Sequence, residues 1–390
     1  MEPDSLRGGA VFEPTGFSLS PVATLKHKDS THQSRISIGR PQVPGVLHDP
    51  APAAMKAYVI EEYIKPEQLS TRLVEWKDPQ PTGDEILVDV HYAGLNFFDI
   101  LQIQGKYQHK PAFPWVSGAE FSGVVSAKSP IPKGCPFVPG QTRVFGAGQG
   151  SYAEKIKVDW RTVLEVPERI GLEAAAGLYV TMPTSYAALV TRARTQTGEW
   201  VMVHAAAGGV GLAAVQIAKA LGAKVIATAG SPAKLDVAKR FGADYAIDYN
   251  KEGWQKEVTK ITGGHGADVV YDPVGMINPS LKCAAWNCRL VVVGFAAGSI
   301  EKVPTNLALL KNVAIMGVHW GAYIKNEPEV VPQVWKELLA LFQSGKVRGT
   351  VFDKVFDGLE AVPEGLRALG ARETWGKAIV KVKGGREGKL

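Results

Sequence analysis

The 390-residue chain predicts an α/β fold: a doubly wound parallel sheet joined to a second, mainly β module of barrel type. Three observations predict it. Over residues 201–318 short apolar runs alternate with helix-forming segments, the pattern of successive βα units. Over residues 56–167 short β-type runs are punctuated by Gly and Pro at irregular spacing, which suits a compact barrel and not a repeat. Where the βα series opens, residues 200–222 read as strand, glycine-rich turn and helix, with the pattern Ala206-x-Gly208-x-x-Gly211 at the turn.

Taken in order, residues 1–54 are rich in Pro, Ser, Thr and His without a sustained apolar period and read as a disordered leader. Arg7, Lys26, Lys28, Arg35 and Arg40 are matched by Glu2, Asp4, Glu13, Asp29 and Asp49. A mitochondrial presequence is Arg-rich and poor in acids, so a cytoplasmic location is expected ahead of a mitochondrial one, and Met55 fits as the start of folded sequence. Strands are expected at 56–60, 85–91, 119–127, 142–145 and 162–167, then helices at 172–178 and 184–194. The βα series follows: strand 201–204 with helix 211–221, strand 224–228 with helix 232–241, strand 245–247 with helix 253–261, and strand 269–271 with helix 279–283. Strands 289–293 and 313–318 close it. An amphipathic helix begins at Glu329, with Val334, Leu338, Leu341 and Phe342 on one face. The alternating strand 377–383 is expected to return to the first module, and the last residues to fray.

Composition narrows the class. Hydrophobic content of 45% with 21% charged residues is that of a globular protein with a sizeable core. Three scattered cysteines, Cys135, Cys283 and Cys288, give no disulfide framework and favour a reducing compartment. No apolar run reaches the ~18 residues of a membrane span. The net charge of +6 favours anionic ligands. No basic stripe interleaved with aromatics marks a nucleic-acid surface.

The glycine turn carries the first functional reading. Small residues at Ala206, Gly208, Gly209, Val210 and Gly211 let the backbone approach a pyrophosphate, whose charge then meets free amides at the helix N-terminus. About 20 residues on, an NAD-specific site places Asp or Glu on the ribose diol. This chain instead has Ala229 and Gly230, followed by Ser231 and Lys234. A hydroxyl and an ammonium accept a 2′-phosphate that a carboxylate would repel. The expected cofactor is NADPH.

Beyond the turn, the chain carries Gly198, Glu199, Gln216 and Lys219, with Met202 where leucine is usual, then Tyr271, Asp272, Pro273, Val274 and Gly275. Upstream stand Gly94, Asn96, Asp99, Gln104, Gly105, Tyr107, Pro114, Gly118, Glu120 and Gly123, and the run from Gly150 to Glu154. Together these resemble the medium-chain dehydrogenase/reductase superfamily in its zinc-free quinone oxidoreductase (zeta-crystallin-like) branch, over roughly residues 55–383. The resemblance implies a GroES-like catalytic domain over 55–180 and 324–390, and a Rossmann NADP(H)-binding domain over 181–323. It also bears on metal. Asn96 and Ala119 stand where the zinc-dependent branch has Cys and His, and Cys135 stands alone where that branch has a cysteine-rich lobe. No catalytic zinc is expected.

The resemblance assigns Tyr107 and Asn96 as catalytic candidates, Tyr107 being the favoured hydrogen-bond donor or proton source, and leaves Asp99 a structural role. It places Thr184, Gly294 and Phe295 near the nicotinamide, Tyr249 near the adenine or 2′-phosphate, and Lys377 near the cofactor phosphates. His319 and Trp320 are expected to line the substrate side. The implied activity is NADPH-dependent reduction of a quinone or an α,β-unsaturated carbonyl. Two alternatives stay open: a 2-enoyl-thioester reductase, and a non-catalytic NADPH-binding protein of crystallin or RNA-binding type. A homodimer joined through the strand at 313–318 is a further expectation.

Overall fold

The computed structural model describes residues 54–382. The leader expected over 1–54 falls outside this range except for Ala54, which already belongs to the first strand, Ala54–Ile60; the tail beyond 382 also lies outside it. The βα alternation folds into one six-stranded sheet made of Trp200–Val203, Lys224–Ala229, Tyr245–Asp248, Ala267–Asp272, Ala284–Val292 and Ala314–Gly317. All neighbours are parallel, and in space the strands run third, second, first, fourth, fifth, sixth. This order reverses between the first and fourth strands, and ligands of such sheets bind outside the carboxyl ends at that point.

Both faces of the sheet are buried, as parallel strands require. Met202, Ile226, Val270 and Leu290 share a core with Trp254, Val258 and Leu281. Val201, Val203, Val225, Val269 and Tyr271, of opposite parity on their strands, share another with Ala213, Ile217, Leu189 and Leu338.

The second module is a seven-stranded sheet in the order Phe356–Asp357, Ile379–Lys381, Glu85–Gly94, Glu120–Val125, Arg143–Ala147 and Val163–Glu165, with Lys155–Asp159 also paired to Glu85–Gly94. Its interior holds Ile86, Val88, Val90, Phe121, Val144, Ile156 and Val158. A small sheet of Leu73–Lys77, Ala54–Ile60 and Trp115–Val116 adjoins it. Strand Ile379–Lys381 pairs antiparallel with Glu85–Gly94, so the C-terminal segment returns to this module.

Several elements differ from the sequence reading. Helix Phe97–Ile103 and strand Lys155–Asp159 were not expected, nor were helices Thr305–Lys311 and Val362–Gly370. The helix expected at 279–283 is a short Ile277–Ser280 turn passing into a 3-10 turn, and the strand after it starts earlier, at Ala284. The helix expected from 184 begins at Thr181 and continues as a π-helical stretch, Ala187–Arg192. Among the described residues no helix is long and apolar enough to cross a membrane.

Candidate active site

The glycine turn lies at the carboxyl end of the first sheet strand. Ala205 takes a left-handed φ of 44°, and helix Gly209–Ala220 starts at Gly208, which has no side chain to cap it. No side chain therefore takes the first amides of the helix, the arrangement that suits an anionic ligand. A Cβ on Gly211 would come within 2.3 Å of the Ala205 carbonyl oxygen and 2.8 Å of Ala206 Cα, so a side chain there would push the helix off the strand. A Cβ on Gly209 would meet Thr181 Cγ2 at 3.0 Å and Lys377 Cδ at 3.1 Å. Ala206, Gly208, Gly209, Val210 and Gly211 thus form one turn covered from the side by the C-terminal segment, where Gly376 N–H donates to the Ala207 carbonyl at 2.7 Å.

Two buried polar residues brace this end of the sheet. Asp272 is fully buried and accepts from the amides of Val274, Gly275 and Met276 at 2.6–3.0 Å, so it caps the turn after its strand. His204 bridges Thr228 Oγ1 and Ser280 Oγ, both at 2.7 Å. Ser280 Oγ donates to the Met276 carbonyl, so it accepts from Nε2–H, and the Thr228 hydroxyl donates to Nδ1. Burial lowers this imidazole to about 4, which keeps it neutral.

The second strand ends at Ala229. Tyr249 lies against Gly230, where a Cβ would come 3.2 Å from Tyr249 Cε2, so the missing side chain makes room for the ring. Ser231 is the N-cap of helix Pro232–Arg240 but makes no side-chain capping bond. Lys234 Nζ donates to the Arg372 carbonyl at 2.7 Å. Its pKa is lowered by burial and then by the Arg372 charge. Tyr249 is raised by burial, an effect the same guanidinium opposes. Arg372, which the sequence reading missed, therefore stands close to both. It sits just past helix Val362–Gly370 with a left-handed φ of 60°, and its Nη2 donates to the Ala296 carbonyl at 3.3 Å.

The remaining expected residues lie on separate elements. Thr184 donates to the Val180 carbonyl at 2.6 Å. Gly294 and Phe295 follow the fifth strand, and the Phe295 ring is exposed. His319 is exposed, whereas Trp320 is buried in the main core with its ring 5.3 Å from that of Tyr323. Of the pair expected to line the substrate side, only His319 reaches the surface.

The substrate-side candidates lie around helix Phe97–Ile103. Tyr107 is half-buried with its ring stacked on Phe98 at 5.2 Å. Burial and then the Asp99 charge raise its phenol, so it stays a hydrogen-bond donor. Asn96 is 6% exposed and its amide is satisfied internally: Nδ2 donates to Gly94 O and Glu120 Oε2, both at 3.3 Å, and Oδ1 accepts from Lys377 Nζ at 2.8 Å. It therefore positions its neighbours and does not present a free donor to substrate. Lys377, expected near the cofactor phosphates, passes its stem over Gly209 but buries its ammonium on Glu120 Oε2 (2.6 Å), Asn96 Oδ1 and the Leu95 carbonyl (3.1 Å). All three of its donors are used. Glu120 Oε1 accepts from Val180 N–H at 2.8 Å. Asp99 completes the network, taking Tyr152 O–H at 2.5 Å and Asn96 N–H at 2.9 Å on Oδ2. Burial pushes this carboxyl up to about 7 against the pull of those two bonds and of Lys377.

Among the described residues no three His, Cys, Asp or Glu side chains gather to hold a metal ion. Asn96 and Ala119 offer an amide and a methyl group, neither of which replaces a thiolate or an imidazole. The family model described as "Zinc-binding dehydrogenase" matches residues 209–344, and that described as "Alcohol dehydrogenase GroES-like domain" matches 82–168. The zinc in the first description does not fit the side chains found here. A quinone oxidoreductase-like protein 2 homolog of Nematostella vectensis is 36% identical over 337 residues, covering 84% of this chain and 87% of its own length. The chain belongs to the quinone oxidoreductase branch of the medium-chain dehydrogenase/reductase superfamily. Among solved structures of this superfamily's fold, a probable oxidoreductase from Mycobacterium abscessus matches with a TM-score of 0.75 at 32% identity, over 85% of this chain and all of that one. The Escherichia coli quinone oxidoreductase complexed with NADPH matches with a TM-score of 0.73 at 29% identity, over 84% and 100%. The chain is accordingly an oxidoreductase of this superfamily, with a GroES-like module beside its Rossmann sheet.

Proposed function

We propose that this oxidoreductase is a zinc-independent, NADPH-dependent reductase of quinones or α,β-unsaturated carbonyls. One observation carries the reading: at the end of the second strand, Ala229, Gly230 and Ser231 replace the acid of an NAD site and stand beside Lys234, Tyr249 and Arg372. Two cations with neighbouring hydroxyls suit a 2′-phosphate. Gly208, Gly209 and Gly211 leave backbone room for the pyrophosphate, and the NADPH held by the Escherichia coli relative supports the same reading.

When bound, NADPH supplies a hydride to an electron-poor carbon or ring. The protein's task is then to orient the acceptor and stabilise the oxygen on which charge develops. Tyr107 serves that oxygen, its phenol held protonated by burial and its ring fixed by Phe98. Thr184, Gly294 and Phe295 flank the nicotinamide end, and His319 the acceptor side. Asn96, Lys377 and Glu120 tie the start of helix Phe97–Ile103 to the glycine turn and to Val180 at the start of the Thr184 helix.

The acting form is a homodimer. Strand Ala314–Gly317 ends the sheet order with one edge unpaired among the described residues, and Ile315, Leu309 and Leu310 are 39%, 78% and 68% exposed beside it. An unpaired edge carrying apolar side chains favours pairing with a second copy. The test of the function is a steady-state screen of NADPH oxidation against quinones, enals and enoyl thioesters. Turnover of quinones or enals supports the proposal; turnover of thioesters alone, or of none, overturns it.

A further inference from the structure

A surface cavity of about 210 Å³ is lined by Arg240, Phe241, Arg348, Gly349 and Trp375. Nothing in the reductase reading uses it. It lies at the far end of helix Pro232–Arg240 from Ser231, the N-cap residue assigned to the cofactor pocket. Nine residues at about 1.5 Å each put roughly 13 Å of helix between the two.

Two aromatic rings hold two guanidinium groups there. Arg240 lies over the Trp375 ring at 5.7 Å, and Arg348 over the Phe241 ring at 4.5 Å. The Arg348 backbone is fixed as well: its N–H donates to Gln216 Oε1 at 2.9 Å, and its carbonyl accepts from Gln216 Nε2 at 3.1 Å. Its Nη2 donates to the Arg240 carbonyl at 3.2 Å, which brings the second cation up to the residue that carries the first. Apart from that bond, no guanidinium N–H of either arginine has a protein acceptor among the described residues. No carboxylate lines the cavity; Asp353, which accepts from Trp375 Nε1–H at 3.1 Å, stands outside the lining. Like charges gathered on one cavity repel. An anion with several acceptor oxygens takes up the open N–H groups of both arginines and cancels that repulsion.

We propose that Arg240 and Arg348 form a second anion site, apart from the cofactor pocket, that takes a phosphate group. The planar forks match paired phosphate oxygens, and the cavity leaves room for one such group. Free phosphate and a phosphorylated small molecule share this chemistry. The site does not depend on which acceptor the reductase uses.

The test is calorimetric titration of the NADPH-saturated full chain with inorganic phosphate and with phenyl phosphate, in chloride buffer of low ionic strength. Saturable binding of either supports the site, and the tighter of the two tells whether its ligand is free or esterified phosphate. Arg240→Ala and Arg348→Ala should each weaken that binding by about tenfold, the scale of one lost charge-assisted hydrogen bond. Arg348→Ala also removes the bond to the Arg240 carbonyl, so Arg240→Ala, which breaks no hydrogen bond within the fold, keeps the test decisive if the other variant unfolds. NADPH affinity should stay within about twofold in Arg240→Ala. No saturation by either phosphate up to about 10 mM, or binding that Arg240→Ala leaves unchanged, overturns the site. So does a parallel loss of NADPH affinity, which would make the cavity part of the cofactor pocket.

Discussion

Removing one partner of the Lys377–Glu120 pair should destabilise the protein far more than removing both. Lys377 is 3% exposed and Glu120 0%, with 2.6 Å between Nζ and Oε2. In Lys377→Met the Glu120 carboxylate keeps only Val180 N–H at 2.8 Å and the long Asn96 amide contact at 3.3 Å. A buried charge left without its counterion costs about 3–5 kcal/mol. At about 2 °C per kcal/mol for a domain of this size, the melting temperature should fall by about 6–10 °C. Glu120→Gln should do the same by stranding the ammonium. In the double variant neither member of the pair is left to be stranded, so at least about half of the loss should return. Thermal melts of the four proteins at pH 7, followed by circular dichroism, read this directly. Single variants melting within about 2 °C of the wild type, or a double variant equal to the sum of the singles, would refute the network as described.

Three other outcomes are expected. His204, lowered by burial to about 4 in the folded state against ~6.5 unfolded, takes its proton first in the unfolded chain; its stabilising share is full above ~6.5 and lost as pH falls towards 4, about 3 kcal/mol in all. Urea melts from pH 7 to 4.5 should therefore fall less steeply for His204→Gln than for the wild type, and parallel curves would contradict the assignment. Tyr107→Phe should lower kcat by about 100-fold, the scale of one lost oxyanion donor, while KM for NADPH stays within about twofold; an unchanged kcat removes Tyr107 from the reaction. Light scattering should give twice the 41.8 kDa chain mass, with Ile315→Asp shifting the protein to monomer; a concentration-independent monomer in the wild type rules the dimer out.

The cofactor half of this molecule was legible because its signals are local. A strand, a turn of small residues and a helix follow one another within residues 200–222, and each βα unit repeats a hydrophobic period that survives without knowledge of the rest. The substrate half was less so. Helix Phe97–Ile103 has only seven residues and two leading phenylalanines, too short for a 3.6-residue period to stand out, and what holds its start is the reciprocal Asn96–Asp99 contact. Strand Lys155–Asp159 alternates correctly, but its five residues gain their identity from pairing with Glu85–Gly94.

The residues misplaced or missed share one cause: partners distant in sequence. Lys377 and Glu120 are 257 residues apart, and no spacing rule links an ammonium near the C-terminus to a carboxylate in the first module. Arg372 reaches Lys234 across 138 residues through its own carbonyl, in a left-handed conformation that ordinary arginines avoid. Trp320 was placed by its nearness in sequence to the end of the sixth strand, yet a large indole gains more from the core beside Tyr323 than from an open cleft. Tyr249 was expected near the adenine or 2′-phosphate from the resemblance alone; its packing against Gly230, 19 residues earlier, is a tertiary contact that no local pattern announces.

The central claim is that the pocket of Ser231, Lys234, Tyr249 and Arg372 holds a phosphorylated ribose. Titration of the protein with NADPH and NADH, followed by nicotinamide fluorescence, tests it most directly. Two charge-assisted contacts to the phosphate predict NADPH binding about 100-fold more tightly than NADH, with Arg372→Ala narrowing the gap to about tenfold. NADH binding as tightly as NADPH would contradict the account.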